Sequence, residues 1–190
     1  METEIAEEVA KLPRLERFRV LQDVEGRNLL AAAEPSKLVA IGLHALDQKV
    51  ANELESKNGA SSVRSLLKSK LASDVSLRIK MLRAESFDSD LAFERLVKYL
   101  KLLQEVLATC GEPRHLELAR DFDAAERQWL EFGSFQLLLF RDHAGRRVAG
   151  SFDIEIPKGK QRPSRTCLLK MALYLFQAAS EDDTTQKEGL

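Results

Sequence analysis

The hydrophobic pattern of this chain changes its period at Gly133, and that change decides the fold class. Before Gly133, apolar residues recur every three or four positions, as they do on one face of an α-helix. After it, Phe135, Leu137 and Leu139 recur at every second position, which is typical of a β-strand. Helical spacing returns after Ser164. This order predicts an α+β fold, mainly α, with about five or six helices, a C-terminal β-hairpin and a final buried helix.

Five amphipathic segments precede the hairpin. Their apolar stripes predict helices over residues 13–33, 36–58, 62–84, 89–110 and 113–132. Ser36 is expected to cap the second helix, and Asp88, Ser89 or Asp90 the fourth, because short polar side chains accept hydrogen bonds from exposed N–H groups at helix starts. Trp129 lies on the apolar stripe of the fifth helix and is expected to be half buried or more.

Residues 75–82 support two interpretations. The stripe from Val63 to Leu82 predicts one helix over 62–84, whereas Val75, Leu77, Ile79 and Met81 also alternate as in a strand. The helical interpretation accounts for more residues and is preferred. In the alternative, Ser73-Asp74 breaks the chain and a short strand joins the hairpin.

The hairpin is predicted at about residues 134–157. A second alternating run extends from Val148 to Ile156, and Gly145 lies between the runs, where a turn needs a left-handed residue. Pro157 ends the second strand because proline has no N–H to donate.

The last helix, capped by Ser164, leaves almost no polar face between Cys167 and Phe176. We therefore expect it at the centre of the core or covered by another chain. The polar C-terminal tail, residues 180–190, is expected to be disordered. The sequence thus predicts a single helical domain over 1–179, with no repeat and no long linker.

Composition excludes several classes of protein. The net charge of −1 gives no overall attraction to nucleic acid or to an acidic membrane. Two cysteines are too few for a disulfide framework, and the N-terminus lacks the basic and apolar pattern of an export signal. No apolar run approaches the ~20 residues needed to cross a bilayer. These observations predict a cytoplasmic or nuclear protein that does not enter membranes.

No motif for catalysis, metal or cofactor binding is visible, so we predict no catalytic residues, no metal site and no cofactor. Zinc ligands and nucleophile–base pairs need cysteine and histidine at matched spacing, which Cys110, Cys167 and the three histidines lack. An enzyme remains a third hypothesis. It requires His115 or His143 in a pocket with a carboxylate and a thiol.

A local excess of positive charge is the one candidate binding feature. Residues 141–170 contain eight Lys or Arg against three Asp or Glu, a net +5. Three interpretations fit it: a solvated loop, an acidic protein partner, and nucleic-acid phosphates. The candidate anion-binding or acidic-partner residues are Arg141, Arg146, Arg147, Lys158, Lys160, Arg162 and Arg165.

The wide apolar faces of the helices at 89–110 and 166–179 indicate a second kind of contact, with a protein partner or a second copy of the chain. The alternative is that these helices cover each other and the hairpin. The leading hypothesis is a non-enzymatic interaction protein, an adaptor or a subunit of a larger assembly. The runner-up is a nucleic-acid-binding protein that uses the basic surface at 141–170.

Overall fold

The computed structural model describes residues 34–56, 61–107, 112–133, 135–142, 147–151, 162–182 and 185–186. Within these ranges, an antiparallel hairpin lies between the sixth and seventh of seven helices, so the predicted mainly helical α+β fold is confirmed. The predicted helix over 13–33 lies outside the described residues. The elements are α1 (Ser36–Glu55), α2 (Ser61–Leu67), α3 (Val75–Ala84), α4 (Ser89–Val106), α5 (Leu118–Asp121), α6 (Ala124–Glu131), β1 (Phe135–Arg141), β2 (Arg147–Ser151) and α7 (Arg165–Ala179).

Helix α4 is the central element of the core. It packs against α1, α2, α3 and α7. Its stripe of Ala92, Leu96, Leu100 and Leu103 is completely buried. Each fully buried leucine stabilises the fold by about 1.5–3 kcal/mol relative to an exposed one. The Asp88 carboxylate caps the helix by accepting hydrogen bonds from Asp90 N at 2.9 Å and Leu91 N at 3.1 Å. This confirms one of the predicted caps.

Residues 75–82, whose pattern fits both a helix and a strand, are helical, as the preferred interpretation predicts. The predicted continuous helix over 62–84 is wrong. Helix α2 ends at Leu67, and α3 begins at Val75 after a turn. Buried Ser69 holds the turn by donating to Leu66 O at 2.7 Å, and the Asp74 carboxylate caps α3 by accepting from Ser76 N at 2.9 Å. Because polar side chains satisfy the backbone here, the chain changes direction at Ser73-Asp74.

The predicted continuous helix over 113–132 is also wrong. Residues 113–117 are not helical, α5 is a single turn, and α6 starts anew after Asp123. Asp123 and Glu126 form a capping box, with side-chain to backbone hydrogen bonds of 2.8 and 3.0 Å. Trp129 on α6 is buried, as expected.

Helix α1 differs from the prediction at its start. Pro35, not Ser36, is the N-cap residue, and no side chain caps the helix. Pro35 has an extended ψ of 132°, and its carbonyl accepts hydrogen bonds from Leu38 N at 2.8 Å and Val39 N at 3.3 Å, so Ser36 is already the first helical residue. The helix ends at Glu55, and residue 58, where the predicted helix ends, lies outside the described residues.

The hairpin forms where the alternating pattern begins. β1 and β2 pair antiparallel, with Phe135 opposite Ser151 and Leu137 opposite Ala149, and the register shifts between Leu137 and Arg141. The turn at 143–146 and residues 152–157 lie outside the described residues. Residues 75–81 do not supply a third strand, because they belong to α3.

Helix α7 covers one side of the core. Ser164 caps it, accepting from Cys167 N at 3.1 Å as predicted. Of its described side chains, Cys167, Met171 and Ala179 are buried and the other apolar ones are partly exposed. The expectation of a central helix therefore holds for one face only. The opposite side of the helix faces the hairpin and solvent.

Candidate functional site

An apolar cleft lies between the hairpin and the C-terminal half of α7, and we call it the α7 cleft. It encloses about 210 Å³. Phe176, at its rim, is 55% exposed. The lining residues are Phe135, Gln136, Leu137, Ala149, Gly150, Ala172, Leu175, Phe176 and Ala179.

Small residues on both sides create this cleft. Ala172 and Ala179 lie on the same face of α7 as Phe176, because they are four and three positions away from it. Across from them, Ala149 and Gly150 lie in β2, opposite Leu137 and Gln136 of β1. The short side chains at these positions leave part of the space between the helix and the hairpin unfilled.

An ion pair stands just beyond the end of the cleft. Arg141, the last residue of β1, donates from Nη2 to the carboxylate of Asp182, three residues after α7 ends. The same Nη2 donates to Thr185 Oγ1 at 3.2 Å. The C-terminus of α7 carries partial negative charge, which adds to the attraction for the guanidinium.

Arg147 lies directly opposite Arg141 in the strand ladder. Like charges in opposite positions of a ladder repel, and Asp182 partly offsets this repulsion. Arg147 Nη1 donates to Leu138 O at a long 3.5 Å. Its Nε is buried and has no hydrogen-bond partner among the described residues. We call Arg141 and Arg147 the arginine pair.

The other predicted basic residues are not part of this cluster. Arg162 and Arg165 are exposed at the start of α7, while the arginine pair lies beyond its end. A helix of fifteen residues separates the two groups by roughly 22 Å. Arg146, Lys158 and Lys160 lie outside the described residues. The four described arginines therefore lie in two groups, one at each end of α7.

Side chains with catalytic potential are dispersed. Nε2 of His115 lies 3.8 Å from Asp74, and Nε2 of His44 lies 3.0 Å from the Gln48 amide. Burial, together with the negative charge of Glu126, raises the pKa of the Cys167 thiol, which favours its protonated form. Cys110 and His143 lie outside the described residues.

No group of three or more His, Cys, Asp or Glu in the described parts of the chain could hold a metal ion. None of the helices in those parts is both long and apolar enough to cross a bilayer.

Comparison of the chain with protein-family models, with curated proteins and with solved structures finds no match.

The residues that sequence reasoning missed belong to the tail. Its acidic composition predicted disorder, but its described residues contact the domain: Asp182 and Thr185 bind Arg141, and Gln186 accepts from Arg83 Nη1. Two arginines distant in sequence, Arg141 and Arg83, make these contacts. The only available signal was the complementary charge of the tail and of residues 141–170.

Proposed function

We propose that this protein is a non-enzymatic interaction protein, an adaptor or a subunit of a larger assembly in the cytoplasm or nucleus, and that it docks a segment of a partner protein in the α7 cleft. The supporting observation is Phe176, which is 55% exposed at the rim of an apolar hollow. Leaving such a surface in water costs free energy, and an apolar side chain from a partner removes that cost.

The size of the cleft favours a side-chain anchor. Pockets for small molecules and cofactors usually measure about 300–1,000 Å³. The α7 cleft, at about 210 Å³, has room for one or two apolar side chains. Protein interfaces commonly concentrate their affinity in such anchors, surrounded by a polar rim.

The positive charge beside the cleft indicates which residues should flank the apolar anchor of the partner. The arginine pair lies at the end where α7 stops, and guanidinium groups bind carboxylates through paired hydrogen bonds. We therefore commit to a partner segment in which an apolar anchor is adjacent to acidic residues. This combination uses both features that the sequence analysis singled out, the apolar helix face and the basic hairpin.

Nucleic acid is less well supported as the ligand. A phosphate backbone needs a continuous positive track, and the described arginines lie in two groups at opposite ends of α7. Binding of RNA or DNA at low salt, with an affinity that falls steeply as salt rises, would favour this alternative.

Selection of random peptides on the full-length protein tests the proposal. Phage-displayed peptides are enriched on the wild type, and each enriched peptide is measured by fluorescence anisotropy against Phe176→Glu, Ala172→Phe and Ile41→Glu. Ala172→Phe fills the cleft. Ile41, 66% exposed on α1, provides the matched control for a charge placed on an exposed apolar position.

We expect enriched peptides to combine an apolar residue with Asp or Glu. Their affinity should fall at least tenfold with both cleft variants and stay unchanged with Ile41→Glu. Failure to enrich any peptide contradicts the proposal, as does an affinity that Phe176→Glu leaves unchanged. Light scattering on the same samples identifies a self-associating chain: a dimer that Phe176→Glu dissociates would assign the cleft to a second copy instead.

A further inference from the structure

The tail forms a turn around its own carboxylate. Asp182 Oδ2 accepts hydrogen bonds from Thr185 N at 3.2 Å and from Thr185 Oγ1 at 2.5 Å, in addition to the ion pair with Arg141. Thr185 is 4% exposed. An acidic segment of the chain is therefore already seated on the arginine at the end of the α7 cleft.

A second set of contacts fixes the other side of this turn. Gln186 donates from Nε2 to Ser180 O at 2.7 Å and accepts from Arg83 Nη1. Lys80 Nζ donates to Ser180 Oγ at 3.3 Å. The tail thus extends from the hairpin to α3, and its position is defined from both sides.

The arginine pair can bind more than this tail provides. Two guanidinium groups that face each other across a ladder favour more than one carboxylate, since each presents five N–H donors. Arg147 Nε is buried without a partner among the described residues. Because Nε has no exposed surface, a second carboxylate would bind the Nη groups of Arg147, of which only Nη1 makes a hydrogen bond within the described residues, the 3.5 Å contact with Leu138 O.

We propose that Arg141 and Arg147 form a binding site for an acidic peptide, and that Asp182 of the tail occupies this site in cis as a displaceable ligand. The inference rests on the proposed function, because the partner that displaces the tail is the segment anchored in the α7 cleft. One of its acidic residues replaces Asp182 on Arg141, and a second binds Arg147.

The strength of the tail contact suits displacement. The Arg141 and Asp182 side chains are 29% and 36% exposed, so water and salt weaken their attraction. Attachment to the chain compensates, because a tethered ligand competes at an effective concentration on the order of millimolar. A partner without an apolar anchor therefore binds only weakly to the wild type, while one that also fills the cleft displaces the tail.

A peptide in trans separates the arginine site from the cleft. The probe is a fluorescein-labelled peptide with the sequence of residues 180–188, which contains no apolar anchor. It is titrated against the full-length wild type, against Asp182→Asn, and against Asp182→Asn combined in turn with Arg141→Gln, Arg147→Gln or Arg165→Gln. Arg165, exposed at the far end of α7, is the matched control for loss of one positive charge.

We expect Asp182→Asn to bind the peptide about five- to tenfold more tightly than the wild type, because the competing carboxylate is gone. Adding Arg141→Gln or Arg147→Gln should abolish this gain, and Arg165→Gln should leave it intact. Equal affinity for the wild type and Asp182→Asn overturns the inference, as does an equal loss with all three arginine variants. If the affinity of the selected peptides is unchanged by Phe176→Glu, the proposed function is contradicted, but the comparison of the wild type with Asp182→Asn is not affected.

Discussion

Arg83 and Glu34 form a bidentate ion pair that joins the end of α3 to the residues preceding α1. Arg83 Nη2 lies 2.7 and 2.8 Å from the two carboxylate oxygens of Glu34, and Nε lies 3.0 Å from one of them. The two side chains are 9% and 12% exposed. Since Gln186 accepts from the same guanidinium, one side chain connects three segments that are remote in sequence.

Removing the Arg83 side chain should therefore destabilise the fold. Arg83→Ala takes the guanidinium away from a nearly buried carboxylate, that of Glu34, and we expect the free energy of unfolding to fall by about 3 kcal/mol, measured by urea denaturation. Lys98→Ala is the control: it removes an exposed pair with Glu94 within α4, at 3.3 Å, and should cost less than about 0.5 kcal/mol. Equal effects of the two variants would contradict a structural role for the buried pair.

Two glycines should respond in opposite directions to alanine. Gly133 adopts φ +74°, a left-handed conformation that costs other residues about 1–2 kcal/mol, so Gly133→Ala should destabilise the fold by that amount. Gly42 lies inside α1, and an added Cβ meets Leu82 and Phe87 at an ordinary 3.4 Å. Gly42→Ala should stabilise the fold by up to about 1 kcal/mol through helix propensity. Thermal denaturation of both variants measures the signs, and the same sign for both contradicts the account.

The sequence predicts the fold correctly where contacts between residues close in the chain determine the structure. The stripe of α4, the caps at Asp88 and Ser164, and the change of period at Gly133 all act over a few residues. The break within 113–132 was not predictable. Its apolar spacing fits one helix, but the Gln177 amide bonds the backbone of Leu116 at 2.9 and 3.1 Å across 61 positions and holds that segment out of helical form.

The site was predictable in composition but not in arrangement. The sequence shows a basic segment and an apolar last helix, yet it does not show that Arg141 and Arg165 lie at opposite ends of that helix. It shows small residues without showing that Ala149 and Ala172 line the same hollow. The contacts of the tail could not be predicted for the same reason, since Gln186 accepts a hydrogen bond from an arginine 103 positions away.

Alkaline pH should reveal the burial of Tyr99 on α4. Burial raises the pKa of Tyr99 from 10.0 to about 12. Its contribution to stability is therefore complete below pH 10 and is lost as pH rises towards about 12, because the unfolded phenol ionises first. In Tyr99→Phe the free energy of unfolding should fall less between pH 10 and about 12 than in the wild type, whereas Tyr174→Phe should show the wild-type fall. Urea denaturation across that range measures both. An unchanged slope in Tyr99→Phe would contradict the assignment.

Acid pH should test the pair formed by Asp121 and Arg114. Partial burial acts to raise the pKa of Asp121. Hydrogen bonds from Arg114 (2.7 Å) and Glu117 N (2.8 Å), with the positive charge of Arg114 and Arg120, outweigh it and hold the pKa below its usual 3.8. The resulting stability is present above the unfolded pKa and is lost as pH falls through the folded value.

Asp121→Asn should accordingly be less stable than the wild type at neutral pH, with a difference that shrinks below pH 3.8. Asp90→Asn is the control, because the Asp90 side chain is 81% exposed beside Lys49. Urea denaturation over the acid range compares the two variants. A difference for Asp121→Asn that does not change with pH would mean that the loss is one of packing rather than of charge.

Hydrogen exchange of the full-length protein, with and without a peptide selected for the α7 cleft, tests the central claim most directly. If a partner fills the cleft and displaces the tail, amides at 135–137 and 172–179 become more protected while those of Thr185 and Gln186 become less protected in the same sample. Protection of the cleft without loss of tail protection, or protection confined to other elements, would contradict the account.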